Sequence, residues 1–266
     1  MLSLKILLRA LRAGELKTIF ISLCLSVAVV AAVSIFAERI EKAIVNESKE
    51  LLGSDFIVKS SKPIPQVWIE YAVNRNIDVS RTLSFASVVF VNENMHLAYI
   101  KAVESNYPLR GSILTSQLPF TYDVKQMEEF TSGPKVGEIW VESRLLPILN
   151  VEIGSQIDIG ESSLTITKIL IEEPEGPSFS ILGSRILMNF ADVESTNVVQ
   201  PGSRVTHNLL VASSKESDIN SYVSWVTEKM SPHDQLIKPE EAQENISSTI
   251  DLSLIHISEP TRQDRI

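Results

Sequence analysis

Cysteine is nearly absent: the 266 residues hold one, Cys24, and it lies inside a long uncharged run. No disulfide can form within the chain, so its folded part must rest on burial, for which roughly 200 residues suffice. Histidine is scarce as well. His96, His207 and His233 are the ones before the final stretch, and none has a ligand-spaced partner, which argues against a metal site. The ten glycines make neither G-x-G-x-x-G nor G-x-x-x-x-G-K-[ST], so no phosphate-cradling loop is written here. Gly160-Glu-Ser-Ser-Leu and Gly176-Pro-Ser-Phe-Ser both miss the second glycine of a nucleophile elbow. A net charge of −9 without a basic stripe excludes nucleic acid as a partner. No catalytic, cofactor-binding or metal-ligating residue is expected, and the chain does not read as an enzyme.

What is present is a membrane signal. Thr18–Ala37 (TIFISLCLSVAVVAAVSIFA) carries no charge over twenty residues, and at ~1.5 Å per residue a helix of that length matches a bilayer's hydrocarbon core. Lys5, Arg9, Arg12 and Lys17 precede it against Glu15, so the N-terminus is expected in the cytoplasm and the body outside. Within residues 1–17, Leu4, Leu7, Leu8 and Leu11 fall at helical spacing between basic residues, as in a helix lying on the inner membrane face. A cleaved signal peptide is the competing reading, with Ala32-Val33-Ser34 as its cleavage site. The length of the run and the helical pattern continuing past it favour a retained anchor.

The end of the chain reads differently. Leu252–Arg262 (LSLIHISEPTR) resembles the in-frame translation of a sequencing-library transposon adapter, so residues 252–266 are set aside as a non-native tail and His256 carries no weight.

Between these ends the pattern is mixed. Residues 38–53 continue the helix as a stalk, with Ile40, Ile44, Leu51 and Leu52 as its apolar stripe and Gly53 as its stop. Residues 54–251 form the external domain. Asp55–Lys59 reads as a strand, and Pro65 opens a short helix carrying Trp68, Tyr71 and Ala72. Thr82–Val91 and His96–Val103 alternate as a hairpin about Asn92-Glu93-Asn94. Strands are expected at Glu138–Glu142, Ser155–Ile159, Leu164–Ile171, Arg185–Met188 and Asn208–Ala212, with a short helix at Ser143–Leu149. Ile219, Tyr222, Val223, Val226 and Met230 share one helix face, and Pro239–Asp251 begins as a further helix. The acids Glu172, Glu173 and Glu175 read as a solvated loop, with weak calcium binding as the alternative. The fold class is α+β, with small, mostly antiparallel sheets and flanking helices, and residues 55–135 and 136–215 as possible subdomains.

Several stretches in this order resemble an FtsX-like ABC transporter permease of the MacB type, closest to the YbbP type. They are Leu51-Leu-Gly-Ser-Asp55, Lys101-Ala-Val-Glu-Ser-Asn-Tyr-Pro-Leu-Arg-Gly111, Leu149–Gly160, Met188-Asn-Phe-Ala-Asp192 and Gln200-Pro-Gly-Ser-Arg-Val205. The resemblance covers residues 1–251 and implies the N-terminal fragment of a multi-spanning subunit in a bacterial inner membrane, with a MacB-like periplasmic domain. It implies a separate cytoplasmic ATPase whose cycle drives extraction or export of hydrophobic or lipid-like cargo. A lysophospholipase-like periplasmic esterase and membrane lipid are further implied partners. Arg204 is read either as a buried or interface charge or as an exposed side chain on a structural turn, and the Tyr107–Gly111 turn likewise. The alternative function is the membrane-anchored extracytoplasmic sensor domain of a receptor.

Overall fold

A computed structural model of the chain describes residues 15–121, 123–175 and 183–239. The amphipathic pattern of residues 2–13, the helix expected after Pro239 and the tail 252–266 lie outside the described residues. The chain divides into two compact units, Met1–Asn46 and Glu47–Ile266.

In the first unit the described chain is one helix. It belongs to α1 (Glu15–Leu52), 38 residues without proline or glycine, so nothing interrupts the i to i−4 ladder. Phe20, Ile21, Leu25, Val30, Val33 and Phe36 are all exposed. A helix apolar on every side suits a bilayer rather than one face of a protein core. Among the described residues, α1 alone is long and apolar enough to cross a membrane. The expected stalk is continuous with it as far as Leu52. Of the predicted stripe, Ile40, Ile44 and Leu51 are exposed and Leu52 is buried.

The second unit is built on strands. In chain order they are β1 (Phe56–Ser60), β2 (Asp78–Val91), β3 (Asn94–Val103), β4 (Ile113–Ser116), β5 (Met127–Phe130) and β6 (Glu138–Glu142). Then come β7 (Gln156–Ile159), β8 (Ser162–Glu172), β9 (Ser184–Asn189), β10 (Val205–Ala212) and β11 (Gln235–Ile237). The helices are α2 (Gln66–Val73), α3 (Leu145–Leu149), α4 (Val193–Thr196) and α5 (Glu216–Thr227).

Among the described residues, the eleven strands share one hydrogen-bonded sheet. Its path runs β11-β1-β10-β2-β3-β9-β6-β8-β4-β5, and β7 bridges β8 back to β2. Strands β2, β3, β9, β6, β8 and β7 therefore close a six-stranded ring. Pairing is antiparallel except for β3 with β9 and β6 with β8. The ring is filled from within: Leu83, Phe85 and Val89 of β2 alternate inward beside Ala98, Ile100, Ile139, Ile166 and Ile186. Period-two alternation along the long β2 aims one set of side chains at this core. Gly160 makes the β7–β8 turn with φ +59°, and a Cβ there would come 2.0 Å from the Thr196 carbonyl oxygen, so only glycine fits.

Beyond the ring, β1 and β10 are buried on both faces, which is why Phe-Ile-Val and Leu-Leu-Val-Ala read as unbroken apolar runs. One face packs Phe56, Val58, Leu209 and Val211 against Trp68 and Ala72 of α2 and Tyr222 and Val226 of α5. The Tyr222 hydroxyl donates to the Trp68 carbonyl at 2.9 Å and ties the two helices together. Tyr222→Phe is expected to cost about 1 kcal/mol through that lost bond, and Tyr222→Ala about 3–5 kcal/mol through the cavity, as read by denaturant unfolding. The other face of β1 and β10 sends Ile57 and Leu210 into a cluster with Leu52, Val103, Tyr107 and Leu187. That cluster lies where α1 ends.

Candidate coupling site at the end of the long helix

A helix end leaves its last four carbonyls unpaired, and their partners show what holds it. Gly53 follows Leu52 with φ +72°. Its N–H donates to the Glu50 carbonyl at 3.1 Å, and the Ser54 N–H donates to the Lys49 carbonyl at 3.2 Å. That crossed pair is a Schellman stop, which the sequence announced through Gly53. The Leu51 carbonyl accepts from the Glu175 N–H at 2.7 Å, from far along the chain. The Gly53 carbonyl accepts from both Leu109 N–H (2.9 Å) and Arg110 N–H (3.0 Å). Two segments remote in sequence thus grip the last turn, residues 107–111 and residues 173–175.

Charge fixes the first of them. Asp55, its side chain buried, accepts from Arg110 Nη2 at 2.9 Å and Nε at 3.3 Å, and from the Ser213 N–H at 2.8 Å. Lys49 of the last helical turn lies 3.2 Å from the same carboxylate. Arg110 also donates to the Ser213 carbonyl at 2.8 Å. One carboxylate therefore joins the helix, the turn and the end of β10. Gly111 closes the turn against the helix: a Cβ there would lie 2.9 Å from the Glu50 carbonyl oxygen.

An internal ammonium fixes the second. Lys101 on β3 is buried and donates to the Tyr107 hydroxyl (2.7 Å) and the Pro174 carbonyl (3.0 Å); the Tyr107 hydroxyl donates to the same carbonyl at 2.8 Å. Lys101 Nζ lies 3.6 Å from Glu173 Oε2 and 3.4 Å from Glu175 Oε1. Arg185 on β9 approaches Glu173 at 3.6 Å and Glu142 at 3.8 Å. Asn208 on β10 donates to Glu175 Oε2 at 3.1 Å. Burial pushes the Glu175 carboxyl up, against the opposing pull of Lys101, and burial pushes the Tyr107 hydroxyl far up. Glu175 also takes φ +63°, a conformation that costs a non-glycine residue on the order of 1 kcal/mol.

This corrects the reading of the acidic stretch as a solvated loop. Glu172 is exposed, but Glu173 is buried and Glu175 half-buried, because Lys101 and Arg185 supply the counter-charge. The calcium alternative has no support: among the described residues no group of three or more His, Cys, Asp or Glu could hold a metal. Arg204 is exposed on its turn, whereas Arg110 is held by Asp55. His96 stands near Ser184 Oγ, His207 is half-buried on β10 and His233 is exposed. They share no site.

No family model matches the chain. Over 225 residues it is 32% identical to the uncharacterized ABC transporter permease YbbP of Escherichia coli K12, covering 84% of this chain. The chain is a relative of a YbbP-type ABC transporter permease. It spans about a quarter of that relative's length, 26%. Among solved structures it is similar to the periplasmic region of MacB from Actinobacillus actinomycetemcomitans, with 12% identity, TM-score 0.45, and coverage of 78% of this chain and 97% of that one. A second is the extracellular domain of the noncanonic ABC-type transporter YknZ from Gram-positive bacteria, with 12% identity, TM-score 0.37, and coverage of 74% and 88%. Two of the five stretches that resembled such permeases on sequence, Leu51–Asp55 and Lys101–Gly111, meet at the helix end.

Proposed function

We propose that this chain is the N-terminal part of an ABC transporter permease subunit whose long helix passes motion between a bacterial inner membrane and an external domain. The identity with the YbbP permease over most of the chain carries this reading. The bonding of the last helical turn supports it, since a load on α1 would reach the sheet through Gly53, Asp55 and Leu51 without crossing a flexible linker. A separate cytoplasmic ATPase would hydrolyse the nucleotide, and a hydrophobic or lipid-like molecule would be the cargo. The basic residues before Thr18 favour a cytoplasmic N-terminus and a periplasmic body. A lysophospholipase-like esterase is a partner suggested by the resemblance alone.

Two measurements test the proposal. The full-length subunit in detergent should copurify with an ABC ATPase and alter its hydrolysis rate; failure to associate with any ABC ATPase would remove the permease reading. For topology, Asn92→Cys in a Cys24→Ser background should react with a membrane-impermeant maleimide in intact spheroplasts. Labelling only after lysis would reverse the orientation.

A further inference from the structure

The outer face of the β2–β3 hairpin departs from the polar pattern of a solvated sheet face. Leu83, Phe85 and Val89 of β2 and Ala98 and Ile100 of β3 point into the ring, so their neighbours along each strand point out. Those neighbours are apolar on two successive rungs: Val88 lies opposite Leu97, and Phe90 opposite Met95. All four are open to solvent, Val88 at 39%, Phe90 at 41%, Leu97 at 50% and Met95 at 70%. The next rung, Ala86 opposite Tyr99, adds no charge. A contiguous exposed apolar strip marks a binding surface. Four large side chains fall far short of the roughly 20–30 residues a side that a stable protein interface uses, and a single alkyl chain is the better match.

Charge gives the strip a direction. Val205 of β10 pairs with Phe85 and packs on the ring core, so the residue before it, Arg204, falls on the outer side beside Ala86. The turn that presents it is fixed by the Ser203 N–H donating to the Gln200 carbonyl at 2.9 Å and the Gln200 N–H donating to Ser203 Oγ at 3.0 Å. Arg204 is exposed and, among the described residues, pairs with no acid. The far end of the strip is acidic: exposed Asp158 of β7 lies opposite Phe90, and exposed Glu93 stands in the hairpin turn. We infer that this face binds a single-chain amphiphile with a carboxylate head, the carboxylate on Arg204 and the alkyl chain along Val88, Leu97, Phe90 and Met95. From Ala86 to Phe90 the strip is about 14 Å long at ~3.4 Å per residue, the reach of a chain of about twelve carbons. A guanidinium grips a carboxylate through two parallel hydrogen bonds, and the acids at the other end repel the reversed orientation. The inference rests on the reading of the cargo as lipid-like, and gives that cargo a head group and a landing place on the folded body.

The test uses the full chain in phosphatidylcholine nanodiscs, free of detergent, with photoreactive probes that share a dodecyl chain ending in a diazirine. The dodecanoate probe should label residues 88–97, as mapped by mass spectrometry. Phe90→Thr combined with Leu97→Thr should cut that labelling about tenfold. Arg204→Gln should cut it about three- to fivefold, and leave labelling by a probe with a neutral maltoside head unchanged. The altered side chains are exposed and threonine suits a strand, so the melting temperature should hold in every variant. Dodecanoate labelling spread evenly over the body, or undiminished in the variants, overturns the inference, as does equal labelling by a trimethylammonium probe. So does a second copy on this face, seen as efficient disulfide-linked pairs of Met95→Cys in a Cys24→Ser background. The result is independent of ATPase copurification: labelling without an associated ATPase supports the amphiphile site alone, and an associated ATPase without labelling overturns the site and leaves the permease reading standing.

Discussion

Asp55→Ala should cost the folded body about 3 kcal/mol, the low end of what breaking a buried ion pair costs. The carboxylate is buried, and four donors converge on it: Arg110 through two nitrogens, Lys49 and the Ser213 N–H. Arg110 and Lys49 are each about a third exposed, so both cations regain some water when the carboxylate leaves. The Ser213 N–H has less recourse. Asp55→Asn keeps an acceptor but removes the charge, and about 1–2 kcal/mol is expected. Denaturant unfolding of the full chain in detergent gives the free energies, and hydrogen exchange locates the damage. Faster exchange at Ser54, Leu109 and Arg110, with the ring strands β2 and β3 unchanged, is the expected signature. An alanine variant within 0.5 kcal/mol of wild type would show that this carboxylate does not hold the junction.

The second large effect is steric. Gly111→Val should destabilise by more than 2 kcal/mol, because a Cβ meets the Glu50 carbonyl oxygen at 2.9 Å and its Cα at 3.3 Å, and the backbone stands at φ +68°. Gly154→Val is the matched control. It also has positive φ (+92°), but nothing lies within 4 Å of its Cβ position. Its cost should be conformational only, about 1–2 kcal/mol. The difference between the two variants isolates the close approach of turn and helix. Equal losses would mean that the turn gives way without strain, and that it is a weaker clamp than its geometry indicates.

Much of the fold can be read from local pattern. The β2–β3 hairpin follows from alternation on both sides of Asn92-Glu93-Asn94, and the pairing runs from Thr82 with Val103 to Val91 with Asn94. The structure starts β2 four residues earlier, at Asp78, where pairing with β10 rather than the hairpin decides the conformation. The predicted face of Ile219, Tyr222, Val223 and Val226 lies on α5, which starts at Glu216. Strands β4 and β5 left no signal, being four residues each and, in β5, Met-Glu-Glu-Phe without a buried face. Ring closure was also hidden, because β7 meets β2 through two residue pairs only.

The site was half legible, for a related reason. Sequence shows that Glu173 and Glu175 are charged, and charge after a strand ordinarily means water. What buries them is Lys101, 73 residues before Pro174, which no local pattern connects to them. The stretch Lys101–Gly111 drew attention by resemblance, yet its lysine, tyrosine and arginine acquire roles only when Asp55 and Pro174 are set beside them.

A sheet that closes on itself has few exposed rims. The path of this one ends at β11, three residues long, and at β5, four residues of which two are glutamates. Short or acidic rims offer a neighbouring chain little backbone to add onto. Copies of this body could therefore crowd side by side at high local density without fusing strand to strand, and cross-β aggregation would have to begin by opening the β7–β2 seam.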